Sequence, residues 1–514
     1  MTSNQPVPSH PIFLALRHCY GMGHSVMTME TGARIKRRQQ LRYDANSVQR
    51  YIKTGKLVIL EGRGLERGLT SVDIARQAAR VALQLDGAGP KPMPGSAPND
   101  DLTASQKAAW KLLCGAGWGL LTGGPGTGKT YLVSKMVKML HHRSKRVSIC
   151  APTGKAASVL SLKLGGATVT TIHRMLGLRP GTLPQHDHRN PIFADYIFVD
   201  ESSMIDEQLM AYLLDAVDLE KTGIIFSGDP NQLPPVGSGA PFCSMLKSRS
   251  IPHAHLVEIV RQQEGNGIIK LARDIQEGKF RIPSTNVTHY PCRTDAVEGK
   301  AIRFFCDNGT RSRWEIEKPS DLMILSATKQ KKFDGSTSRI NKAVSHKLHP
   351  DRTIPHCKFT PGDRMMFTVN DYEHGFVNGE LGTLLMYDKK DKHASIRNDN
   401  GKMYDLRSWK IGTHAEWAYA LTIHKAQGSE SKVIVLVVTN AAPHMHTREL
   451  IYTAVTRARE ELVIIGDLRV LEKAVRKTIN RVSALDYFLG RPEYAMEFAD
   501  KKSSQSLKGV MDYG

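Results

Sequence analysis

The chain has 514 residues, with 71 Lys and Arg against 50 Asp and Glu, so it is long enough for several domains and carries a net charge of +21 that favours a polyanionic partner such as nucleic acid. No apolar run approaches the roughly 18 residues that a bilayer demands, which excludes a helical membrane protein. Seven scattered cysteines without a C-x-x-C pair exclude a disulfide framework, and residues 1–9 lack the charged and apolar regions of a signal peptide, so a reducing, cytoplasmic location is expected.

Residues 1–86 read as a small winged-helix-like module. A short helix is predicted over 47–52, a strand over 56–60, and an amphipathic helix over 71–85 with Ile74, Ala78, Val81 and Leu85 on one face. Arg34, Lys36, Arg37, Arg38 and Arg42 form a basic cluster, suited to a nucleic-acid contact or to a solvated face. His18, Cys19 and His24 lack the second ligand pair that a metal site needs. Pro90, Pro92, Pro94 and Pro98 make 87–100 a semi-rigid linker. From 101 to 245, short apolar runs at 119–122, 147–150, 196–199 and 223–226 end at turns, the pattern of buried parallel strands in an α/β domain. Within it, the Pro- and Gly-bearing stretch 179–195 reads as a pin-like insertion. A second α/β domain is expected over 246–356 and 411–490, with strands at 322–326, 432–438 and 462–465. Between its halves, 357–410 switches to short alternating segments with glycines at turns, predicting a small β-barrel, and 491–514 reads as a C-terminal tail.

The strongest chemical signal is Gly123-Gly124-Pro125-Gly126-Thr127-Gly128-Lys129-Thr130, which follows a predicted strand and opens a helix with Leu132, Val133, Met136, Val137 and Leu140 inward. Its glycines let backbone N–H groups curl around phosphates, and the helix N-terminus adds a positive dipole end. Lys129 would neutralise the β- and γ-phosphates of ATP, and Thr130 would ligate Mg²⁺. Asp200 and Glu201 end the strand at 196–199; Asp200 would hold Mg²⁺ through water, and Glu201 would orient and deprotonate the attacking water. An acidic pair at a strand end is weak alone and gains its meaning from the phosphate loop. Gln232 offers a neutral amide to sense the γ-phosphate, and Pro234-Pro235-Val236 a stiff apolar ridge for a base to stack on, although Asp229-Pro230-Asn231 is also ordinary turn chemistry. Arg261 and Arg457, each unremarkable as a surface charge, would act as arginine fingers if a closing cleft brought them to the γ-phosphate, with Arg457 on a helix over about 448–459.

In this order the motifs resemble those of superfamily 1 helicases, and their wording resembles the RecD-like branch, over about 100–470. The string 228–236 is similar to motif III, Val260-Arg261-Gln262 to motif IV, and 453–459 to motif VI. Leu102-Thr103-Ala104-Ser105-Gln106-Lys107 is similar to the Q motif, which implies Gln106 at the adenine edge. Residues 420–430 resemble motif V, implying Thr422 and His424 at the strand backbone and Gly428 and Glu430 at the nucleotide. Residues 151–155 and 171–174 resemble motifs Ia and Ib, implying Thr153, Lys155 and His173 on single-stranded backbone, with the Pro235 and Val236 ridge beside them. The 357–410 insertion resembles an SH3-like subdomain, and 179–195 lies where the group carries a short strand-separating β-hairpin. The resemblance implies two RecA-like parallel-sheet motor domains, ATP and Mg²⁺ as cofactors, and a DNA helicase moving 5′→3′ along single-stranded DNA into forks. No counterpart of a nuclease domain or of partner-docking segments is found, so a stand-alone, monomeric motor serving replication or recombination proteins is expected. The alternatives are a translocase that strips bound proteins without net unwinding and a non-catalytic ATP-switched binding protein, the latter opposed by Glu201, Arg261 and Arg457. His253-Ala254-His255 resembles the paired histidines of strand-nicking relaxases, but it occupies a place where a strand is needed and lacks a nucleophilic tyrosine context.

Overall fold

Residues 11–499 are described by a computed structural model, apart from 40, 42–44, 55, 62–64, 99–101, 180, 260–265, 351–357, 372, 389 and 444. Arg42, Arg261 and the tail beyond 499 therefore lie outside the described residues.

Two parallel sheets take up the long apolar runs. In the first, six strands lie in the order Thr170–Thr171, Val147–Ala151, Tyr196–Val199, Gly223–Gly228, Gly119–Gly123, His253–Leu256. Tyr196–Val199 and Gly223–Gly228 are buried at every position, because helices cover both faces. The second sheet orders Val287–Tyr290, Ala458–Gly466, Ser431–Val438, Leu322–Ser326 and Ala420–Thr422, again all parallel. An antiparallel sheet of five strands is inserted between its halves, in the order Met403–Arg407, His393–Asn398, Leu381–Asp388, Arg364–Phe367, Ala415–Trp417. The N-terminal unit sets helices Pro11–Gly21, Met29–Arg38 and Ala45–Lys53 against a three-stranded antiparallel sheet. Among the described residues, no helix is long and apolar enough to cross a membrane.

Several expected boundaries are corrected. The strand His253–Leu256 belongs to the first sheet, not to the second domain beginning at 246, since it pairs in parallel with Gly119–Gly123. Its alternation suits an edge: Ala254 and Leu256 point into the core and the two histidines outward. Both histidines approach one hydroxyl, Thr122 Oγ1, at 2.7 Å from His253 Nε2 and 2.9 Å from His255 Nδ1, which gives the pair a structural role. The predicted linker 87–100 is no spacer. Met93 is buried, its N–H donates to Cys114 O at 2.8 Å, and Tyr196 Oη donates to Pro92 O at 3.1 Å, so this stretch straps the helix Ala104–Ala116. The inserted sheet runs past 410, because Ala415–Trp417 supplies its last edge.

The segment after 483 is neither second-domain nor tail as far as Ala499. Helix Pro492–Ala499 packs on Val72–Asp86, with Phe488, Tyr494 and Phe498 in mutual ring contact at 5.1–5.4 Å. Val72–Asp86 starts at Ser71, whose Oγ accepts from Ile74 N, and its small face of Ala75, Ala78, Ala79 and Ala82 permits close approach to the first core. The expected hairpin at 179–195 is also absent: the described residues there form turns and bends. Pro184 and Pro191 lack N–H groups, Gln185 N and His186 N both donate to Leu176 O, and Asn190 N donates to Asp187 O, so these amides are spent on local turns and not on a cross-strand ladder.

Candidate nucleotide cleft and nucleic-acid groove

The strand Gly119–Gly123 feeds a loop turned by Gly126 and Gly128, whose φ values of 76° and 82° a side chain would resist. Helix Lys129–His142 begins at once, so its first free N–H groups face the hollow of the loop. Thr127 Oγ1 donates to Gly124 O at 2.9 Å and braces the loop from within. Lys129 Nζ donates to Gly123 O at 2.6 Å and Gly124 O at 3.1 Å, donors that a phosphate can take over.

Gln106 corrects its expectation. Its Oε1 accepts from Thr103 N in a capping box, its Nε2 donates to Thr127 O at 3.1 Å, and the side chain is only 1% exposed. The amide is engaged at both ends, so Gln106 positions the phosphate loop and does not reach toward a base.

A cavity of about 410 Å³ opens between this loop and the second sheet, within the size range of small-molecule sites. Gly124, Pro125, Gly126, Gly128, Lys129, Thr130, Asp200, Glu201, Gln232, Gly428, Glu430 and Arg457 line it, while Gly123 and Thr127 act from behind. Glu201 takes a left-handed backbone at φ 51°, a strain of roughly 1–3 kcal/mol that concentrates at active sites. Burial pushes its carboxyl up, Asp200 adds to this, and Arg457 and Lys129 pull it back, an environment suited to a proton acceptor. Gln232 is 7% exposed, and its Oε1 has no hydrogen-bond partner among the described residues. Such an orphaned acceptor suits the proton of an attacking water.

Arg457 lies past the end of helix Arg448–Val455, not inside it, and is 4% exposed. Its Nε donates to Thr453 O at 2.9 Å, Nη1 to Ser429 O at 3.3 Å and Nη2 to Thr456 Oγ1 at 3.2 Å. Held by neutral acceptors, a buried guanidinium is prepared for an anion in the cavity. The Thr130 hydroxyl and Asp200 carboxylate line the same cavity and offer the oxygen donors that Mg²⁺ takes alongside phosphates and water. Among the described residues, one cluster has three metal-type ligands, Asp371, Glu373 and His374, but it sits on the inserted sheet, where Lys410 Nζ lies 3.2 Å from Asp371 Oδ2 and supplies the positive charge.

Bonds cross from the first unit to the second at the Gln232 loop. Leu233 N donates to Thr453 Oγ1 and Tyr452 Oη to Asp229 Oδ2, both at 2.9 Å, while Gln427 Nε2 donates to Leu233 O at 3.3 Å.

A second cavity, of about 870 Å³, brings together Thr153, Lys155 and His173 from the first unit, His424 from the second, and Val369 and Asn378 from the inserted sheet. The inserted sheet reaches the first unit through Asn400 Nδ2, which donates to Ser158 Oγ at 3.0 Å. Burial pushes the Lys155 ammonium down to about 7, against the pull of Asp399 and with Arg364 and Arg457 adding to the fall. Pro235, Val236 and Thr422 are not brought into this cavity; Val236 stands 87% exposed, and Thr422 Oγ1 accepts from Lys425 N. Sequence reasoning missed Lys163, which lines the first cavity and pairs with Glu430 at 3.6 Å. It also missed Gln208 and Tyr212 in the second, although their four-residue spacing on helix Glu207–Asp215 was a legible signal.

A family model described as an AAA domain matches residues 101–294, and one described as a UvrD-like helicase C-terminal domain matches 417–465. A relative from Deinococcus radiodurans named ATP-dependent RecD2 DNA helicase is 31% identical over 369 residues, covering 71% of this chain. The chain spans about half of that relative's length (49%). The RecBCD enzyme subunit RecD of Mycobacterium tuberculosis is 28% identical over 429 residues, covering 74% of this chain and 72% of its own. A solved structure of Pif1 helicases at forked double-stranded DNA is 20% identical, covering 71% of this chain and 92% of its own, with a TM-score of 0.46.

Proposed function

We propose that the chain, which is similar to RecD2 and RecD helicases and carries the motifs of the RecD-like branch of superfamily 1, is an ATP-driven DNA helicase that moves 5′→3′ along single-stranded DNA and opens forks. The observation that carries this reading is the loop of Asp229, Gln232 and Leu233. It touches the phosphate cleft and is bonded to Tyr452, Thr453 and Gln427 of the other unit, so a change at the γ-phosphate has a physical route to the second motor.

Lys129 would leave the loop carbonyls for the β- and γ-phosphates, and Arg457 would meet charge developing on the γ-phosphate. Thr130 and Asp200 would hold Mg²⁺, whose charge offsets that of the phosphates. Glu201 would take the proton of a water oriented by Gln232. Loss of the γ-phosphate frees Gln232 and loosens the cross-unit bonds, shifting the second unit relative to a strand lying on Thr153, Lys155, His173 and His424. Arg261 would add a second finger. In this reading 364–417 is the SH3-like insertion, 11–71 the winged-helix-like unit, and the chain acts as a monomer with replication or recombination proteins as its partners. Steady-state ATPase with and without single-stranded DNA, and unwinding of forks with either tail, test it: stimulation by DNA and opening of the 5′-tailed fork alone are expected. Stimulation without unwinding would favour a protein-stripping translocase, and no stimulation a binding switch.

Although it is no hairpin, the 179–195 loop still fits a wedge. Arg179, Gly181 and Thr182 line the strand groove, and Leu183 is exposed beyond them. Replacing 180–190 with a short Gly-Ser link is expected to leave DNA-stimulated ATPase within about twofold while unwinding falls by roughly tenfold or more, since opening a base step takes a few kcal/mol. Equal loss of both activities would show a folding role instead.

A further inference from the structure

After the second sheet the chain crosses back to the first unit, and Arg481 lies at the crossing. Its Nη1 donates to Gly237 O at 2.7 Å and to Gly239 O at 3.2 Å. Those glycines close the loop that opens at Asp229 and carries Gln232, Pro235 and Val236. Neither could bear a side chain, since a Cβ at 237 would run into Asp206 and one at 239 into Glu207. Around Arg481 the crossing segment is knitted to the N-terminal unit: Ser25 N donates to Val482 O at 2.9 Å, Val482 N to His24 Nδ1 at 3.1 Å, and Ala484 N to Ser25 Oγ at 2.7 Å. Gly239 N completes the knot by donating to Gly23 O at 2.8 Å.

Arg481 forms no ion pair among the described residues, and its Nε is buried without a hydrogen-bond partner. A guanidinium desolvated this far and held by carbonyls adds little to stability; what it does provide is a rigid, forked hold on two points of one loop. The near end of that loop is tied to the second unit through Leu233 and Asp229. Between the two anchors stands Val236, the most exposed large apolar side chain among the described residues at 87%.

We propose that Arg481 is a positioning residue that fixes the far end of the Gln232 loop, so that displacement of Gln232 on phosphate loss is delivered through Asp229 and Leu233 to the second unit and is not lost in movement of the loop. A lever moves its free part only when its other end is held. The inference rests on the ATP-driven motor reading and adds the part that couples turnover to strand movement.

The test uses the full chain with Arg481→Ala and Arg481→Lys, reading DNA-free kcat and KM for ATP, stimulation by poly(dT), and ATP consumed per fork opened. DNA-free kcat and KM are expected within about twofold of wild type, while stimulation falls about fivefold or more and ATP per fork rises; the lysine, which keeps a charge and donors, restores about half of the stimulation. Unchanged stimulation and ATP per fork in a folded alanine variant overturn the proposal, as does equal loss of DNA-free and DNA-stimulated turnover. Should thermal melting show Arg481→Ala unfolded, Arg481→Met keeps the side-chain volume without donors and carries the same decision. Wild-type protein without any DNA stimulation overturns the motor reading itself, an outcome distinct from a stimulated wild type with an equally stimulated variant.

Discussion

Glu201→Gln is expected to stop ATP turnover while ATP stays bound, and Lys129→Ala to stop turnover and weaken binding together. The two are expected to differ because, in the proposed cleft, the carboxylate would act on water and the ammonium on the nucleotide. Glu201 sits in a strained backbone, with burial and Asp200 raising its proton affinity, while the amide of Gln232 waits beside it in the same cavity. Removing such a base lowers kcat by about 10²–10⁴-fold and leaves the phosphate contacts intact. Lys129 is the cation that the loop now stores on Gly123 O and Gly124 O, and its loss removes charge from ground state and transition state alike. Binding of single-stranded DNA should persist in both variants, because Thr153, Lys155, His173 and His424 line a different cavity. Turnover within about threefold of wild type in either variant would overturn the assignment of the cleft.

Arg457→Ala is expected to lower kcat by about 10³-fold with little change in ATP affinity, and Arg457→Lys to rescue little of it. The guanidinium is buried, aimed at the cavity, and held through three separate donors by Thr453, Ser429 and Thr456, so its position is set before any nucleotide arrives. That preorganisation is what a fixed cation contributes to developing phosphate charge, and a lysine cannot reproduce the three-point hold. Measured ATP affinity that falls in proportion to kcat would assign Arg457 to ground-state binding instead. Thermal melting of the variant separates either result from misfolding.

Much of the cleft was legible because its parts are contiguous. A strand, a glycine turn and a helix start lie within 119–142, and the chemistry of Lys129 and Thr130 follows from their place at the head of that helix. Asp200, Glu201 and Gln232 were readable for the same reason, since each follows directly on a buried strand whose composition announces it. Gln106 was misjudged because a capping box and a contact to Thr127 use the same amide that a base contact would, and spacing alone cannot rank those uses. The second cavity, proposed as the strand groove, was half legible: His424 lines it, while Thr422 in the same segment is turned to a local bond with Lys425.

The sequence by itself determined the two parallel-sheet units, the phosphate loop and the acidic pair, because burial patterns and turn chemistry act over a few neighbouring residues. Tertiary structure alone decided that 253–256 closes the first sheet, that 484–499 returns to the helix Val72–Asp86, that 87–100 is a strap, and that Arg481 grips the Gln232 loop. Each of these depends on which unpaired strand edge, apolar face or free carbonyl a distant segment finds when the chain collapses. Several partners of similar composition are available to each segment, and only the burial and hydrogen bonding of the whole assembly chooses among them.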